Sequence, residues 1–82
     1  MPLMVQLSKK ETEILRFIRT ARHKTTVDEI SRALALPDAE VEVFIRGMVG
    51  QKLINVASGT SGLADSFYTN PEKREEIYDL LG

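Results

Sequence analysis

The side chains with the greatest chemical reach cluster in one basic run, Arg19, Arg22, His23 and Lys24. An imidazole can move a proton near neutral pH, but a general base needs a second group to orient it. The sequence neighbours of His23 are cations, so a solvated turn histidine is the plainer reading. There is no cysteine, which removes disulfides and cysteine-rich zinc sites. Glu75, Glu76 and Asp79 stand beside Lys73 and Arg74, the composition of an exposed helix face. Metal binding would need histidine, cysteine and carboxylate to converge, and only carboxylates are in supply. The expectation is a protein that is not an enzyme and carries neither cofactor nor metal.

Charge is distributed unevenly. The formal net charge is -1 over 82 residues. Residues 1–36 hold seven Lys/Arg and four Asp/Glu, a net +3, whereas residues 37–82 hold four and eight, a net -4. Hydrophobic residues make up 43% and charged residues 28%, which indicates one small globular domain over 1–82. The start of the chain, Met1 to Leu7, lacks the basic region and length of a signal peptide. No apolar run approaches the ~20 residues of a membrane span. An intracellular, cytoplasmic protein is therefore expected, without a membrane partner.

Periodicity supplies the elements that must position these residues. Ser8-Lys9-Lys10-Glu11 has the form of a capping box, and Ile14, Leu15, Ile18 and Ala21 follow on one helical face. A first helix over 9–22 is predicted. Thr26-Val27-Asp28-Glu29 repeats the box, with Val27, Ile30, Ala33 and Leu34 behind it, predicting a helix over 27–35. Pro37 forces Leu36 into a turn, and Pro37 or Asp38 opens a third helix over 38–51. Its stripe is Val41, Phe44, Ile45, Met48 and Val49.

The period then changes. Leu53 to Ser58 and Ser66 to Thr69 read as a hairpin over 53–69 across a Gly59–Gly62 turn cluster, with Asn55 facing water. Pro71 opens a last helix over 71–81, with Ile77, Leu80 and Leu81 as its apolar face. Tyr68 and Tyr78 are expected to pack at the edge of the core.

This order, with a mainly α fold, a three-helix core, a two-stranded wing and a C-terminal helix, is that of a winged helix-turn-helix. Thr26-x-x-Glu29-Ile30-Ser31-x-Ala33-Leu34-Ala35-Leu36 followed by Val41 resembles the core of that family. Gln51-Lys52-Leu53-Ile54 is similar to its exit from helix three. Phe67-Tyr68-Thr69-Asn70-Pro71-Glu72 resembles the wing's return in MarR-like and PadR-like regulators. Lys52 stands where the family usually has glycine, so Lys52 or a neighbour must take a left-handed conformation.

The resemblance implies a small stand-alone transcriptional regulator that binds duplex DNA. Helix three would enter the major groove, the start of helix two would touch phosphate, and the wing would meet the backbone. On this sequence Arg19, Arg22, Lys24, Thr25 and Thr26 would hold phosphate, and Arg46 would read a base. Thr60 and Ser61 would be the wing's contacts, although residues 59–65 contain no Lys or Arg. A homodimer through the N-terminal segment (Leu3, Val5) and the last helix would supply two half-sites.

Helix three also fits a different partner. Its outer face carries Ala39, Val43, Gly47 and Gly50 beside Arg46, and Asp38, Glu40 and Glu42 would meet phosphates with like charge. A protein-interaction module docking through this small-residue face is the alternative. A continuous positive face joining Arg19, Arg22, Lys24 and Arg46 would favour DNA, whereas one broken by Glu40 and Glu42 would favour a protein.

Overall fold

The computed structural model describes residues 7–59 and 64–81. Its elements run α1 (Lys9–Thr20), β1 (Thr25–Thr26), α2 (Val27–Leu34), α3 (Asp38–Gly50), β2 (Ile54–Ala57), β3 (Ser66–Thr69) and, after a 3₁₀ turn over Pro71–Lys73, α4 (Arg74–Leu81). The three strands form one antiparallel sheet in the order β1-β3-β2. The wing is therefore a hairpin with a third strand added, where two strands were expected. β1 is too short to show an alternating pattern, which is why the sequence hides it.

Both capping boxes form. The Ser8 hydroxyl accepts the Glu11 amide at 3.2 Å and the Glu11 carboxylate accepts the Ser8 amide at 3.0 Å. Thr26 and Glu29 repeat this at the start of α2. Helix α1 ends at Thr20, two residues before the predicted end, because Ala21 is already extended. The Thr20 hydroxyl donates to the Arg16 carbonyl at 2.9 Å, and Arg22 lies beyond the helix. Pro37 is the N-cap of α3 and supplies no side-chain bond, leaving Asp38 as the first helical residue.

The core draws on every α-helix and both hairpin strands. Ile14, Leu15, Ile30, Val41, Met48 and Leu53 are fully buried at its centre. Ile54, Phe67, Ile77 and Leu81 close it from the sheet and from α4. The Arg16 guanidinium donates to the Leu81 carbonyl at 3.1 Å, tying α4 back onto α1. Ile77 and Leu81 are thus spent inside the chain and are not a dimer surface as expected; the exposed apolar side chain of α4 is Tyr78.

Two non-glycine residues have positive φ. Lys52 (φ 64°) is the expected left-handed residue after α3. Its amide reaches the Val49 carbonyl at 3.0 Å and the Leu53 amide reaches that of Met48 at 3.0 Å, a Schellman closure. Ala35 (φ 55°) ends α2 in the same way, with the Leu36 amide on the Ser31 carbonyl at 3.1 Å. Asn70 then joins the wing to the end of α3 by donating its side-chain amide to the Lys52 carbonyl at 2.8 Å.

Candidate nucleic-acid interface

The sheet separates two clefts. Strand β3 places Phe67 and Tyr68 on opposite faces, since consecutive strand residues alternate. Phe67 lines a cleft with α3, and Tyr68 lines one with the end of α1.

The Tyr68 cleft, about 550 Å³, collects Arg19, Arg22, His23 and Lys24 with Thr69, and no carboxylate lines it among the described residues. The early end of α1 and the short turn before β1 bring these four together. Lys24 Nζ stands 5.3 Å from the centroid of the Tyr68 ring, and Arg19 Cζ stands 5.6 Å from that of Tyr78. Tyr78 is 62% exposed, so both rings are platforms beneath cations and Tyr78 is not core-edge packing. Among the described residues, Arg19, Arg22 and Lys24 enter no ion pair.

His23 does have a partner. Its Nε2 lies 2.7 Å from Glu29 Oε2. The hydrogen bond with His23 is the main reason the Glu29 carboxyl titrates below the usual 4.5. Burial is the next largest effect and opposes it, while hydrogen bonding to Thr26 and the charge of His23 lower it further. Sequence reasoning missed this pair because its members lie on either side of β1.

The threonines divide. Thr25 is fully buried and its hydroxyl reaches the Phe67 carbonyl at 3.5 Å. That corrects its expected place as a phosphate ligand, because the side chain points into the sheet. The Thr26 hydroxyl accepts the Glu29 amide at 3.2 Å, so it is engaged as a helix cap.

Arg46 does not join the other cations. It lines the second cleft, about 570 Å³, whose carboxylates are Asp28, Asp38, Glu42 and Asp65. Asp28 pairs with Arg32 at 3.2 Å and Asp65 accepts the Gly59 amide at 2.9 Å across the base of the wing. Glu40, expected to crowd this surface, instead turns to α1, where Lys10 Nζ meets it at 2.7 Å. Val27, Ile45, Val49, Val56 and Phe67 make the floor. Val56 is 40% exposed and Asn55 only half-buried, the reverse of the expected alternation.

On the outer side of α3, Ala39, Val43, Gly47 and Gly50 are all exposed, Val43 at 65%. A Cβ added to Gly47 or Gly50 would meet nothing within 4 Å, so no packing inside the chain requires glycine there. Thr60 and Ser61 lie outside the described residues, as do Leu3 and Val5. Among the described residues no three His, Cys, Asp or Glu side chains are grouped to hold a metal ion, and no helix is long and apolar enough to cross a membrane.

No family model matches the sequence, and no curated protein matches it. Solved structures do. MarR of Staphylococcus aureus, solved with salicylate and kanamycin, is similar with a TM-score of 0.76 at 21% identity, covering 92% of this chain and 49% of that one. The adhesin competence repressor AdcR of Streptococcus pyogenes gives 0.74 at 17% identity, covering 90% and 55%. The DNA-binding TubR fragment of Clostridium botulinum gives 0.70 at 17% identity, covering 93% and 99%. The chain thus spans about half the length of MarR and AdcR and nearly all of the TubR fragment. Its fold is a winged helix-turn-helix, mainly helical with a small antiparallel sheet, of the kind found in MarR-family regulators.

Proposed function

We propose that this chain is the DNA-binding domain of a transcriptional regulator and has no catalytic activity. The observation that carries the reading is the cleft of Arg19, Arg22 and Lys24, which enter no ion pair among the described residues and lie at the entry to the helix-turn-helix. The similarity in fold to a DNA-binding fragment supports it. The three cations hold backbone phosphates and give affinity without sequence preference. Arg46, expected to read a base, stands among four carboxylates in the other cleft and adds nothing to this reading, which rests on the phosphate contacts. Two copies on neighbouring half-sites give specificity that one small domain lacks.

Fluorescence anisotropy with duplex DNA across a salt series tests this. Binding at low salt that weakens steeply as salt rises is the expected result. A flat salt response, or no association at micromolar protein in low salt, overturns it. The alternative, a protein contact through Ala39, Val43, Gly47 and Gly50, is supported by the exposure of Val43 beside two open glycines.

A further inference from the structure

We infer that the cleft between α3 and the wing is a docking site for a basic, apolar-anchored segment of another protein. Two features of the cleft name the same occupant. Its floor is apolar and partly open: Val49 is half-buried and Val56 is 40% exposed on the outer strand of the sheet, next to Phe67. Its rim is acidic: Asp28, Asp38, Glu42 and Asp65 face one cation, Arg46. Asp28 already has Arg32, and Asp65 accepts only a backbone amide. Asp38 and Glu42 have no cation partner among the described residues.

A lysine or arginine side chain satisfies both features at once. Its methylene stem covers the valines while its charged head reaches the rim. Leucine or isoleucine beside it would fill the remaining floor. A nucleic-acid strand fits neither feature, because phosphate is repelled by the rim and gains nothing from aliphatic side chains. Thr60, Ser61, Gly62 and Leu63, which lie outside the described residues, carry no charge.

The site is independent of the basic cleft on the other face of the sheet, so it does not rest on the DNA reading. A chain that bound no DNA could still bind here.

The test is anisotropy of a labelled synthetic peptide alternating lysine with leucine. One control alternates glutamate with leucine, and a second alternates lysine with serine. The lysine–leucine peptide should bind, and each control should bind at least about tenfold more weakly. Asp38→Asn with Glu42→Gln should weaken the peptide by a similar factor, both side chains being exposed and outside the core. Val56→Lys should abolish binding while leaving the thermal transition in place. Glu75→Gln with Glu76→Gln, on α4 outside the cleft, should change nothing. Equal loss from the α4 pair would reduce the effect to overall charge and overturn the site. Displacement of the peptide by duplex DNA would overturn it too, since α3 would then be a groove reader.

Discussion

Phe67 and Tyr68 are neighbours in the chain, yet they line surfaces of opposite charge. On the Tyr68 side the end of α1 and the turn after it contribute three cations and, among the described residues, no lining carboxylate. On the Phe67 side α2, α3 and the wing contribute four carboxylates and one arginine. A net charge of -1 hides this polarity, because the two sets nearly cancel. The pleat of a four-residue strand separates them, so opposite faces of one small sheet carry opposite charge.

The most disruptive change is to the partition itself. Phe67 sits in the central strand, 8% exposed, with β1 on one side and β2 on the other. Phe67→Ala should cost about 3 kcal/mol or more. That is a large share of the ~5–15 kcal/mol that stabilises a typical domain. Urea unfolding should show the loss, and both surfaces should fail together. Survival of either one would mean that it does not depend on the sheet.

Neutralising one surface should separate the two. Replacing Arg19, Arg22 and Lys24 by glutamine should lower the salt dependence of DNA binding by about one unit of log–log slope for each side chain that touches phosphate. The same variant should bind the lysine–leucine peptide as before. Asp38→Asn with Glu42→Gln should do the opposite, keeping or raising DNA affinity. Parallel losses in both assays would show that the clefts form one surface.

Most of this fold could be read from the sequence because its signals are local. Two capping boxes, Pro37 and Pro71 set four helix starts to within a few residues. The sites were less legible because they depend on pairing across the sheet. Thr25 reads as an exposed hydroxyl until β1 pairs it with Phe67. Arg46 reads as a companion of Arg19 until the hairpin register places Val56 opposite Phe67 and closes a separate cleft around it. Ala35 gave no warning of its left-handed φ, since only glycine or asparagine would have signalled it.

The edge between the two surfaces is the Thr26 capping box, and its loss should be milder. Thr26→Ala should cost about 1 kcal/mol. Its partner Glu29 adds a pH dependence of known sign. His23 and the Thr26 amide hold the folded carboxyl below 4.5, so the folded state favours the ionised form. The stabilisation is complete above 4.5 and is lost as pH falls through the lower folded value. The stability gap between the parent chain and Glu29→Gln should therefore shrink on acidification below 4.5. A gap that widened there would contradict the lowered carboxyl.

The smallest effect should come from α3's outer face, which belongs to neither cleft. Gly47 lies inside the helix and a Cβ there meets open space. Gly47→Ala should accordingly stabilise the domain by ~0.5–1 kcal/mol, because alanine loses less backbone entropy on entering a helix. Thermal unfolding reads that gain directly. Binding of the lysine–leucine peptide should not change, since Gly47 does not line the acidic cleft. A variant that is more stable yet no longer binds would move the docking surface from the cleft to the stripe of Ala39, Val43, Gly47 and Gly50. The absent side chain at Gly47 would then be explained by a partner's close approach and not by anything within this chain.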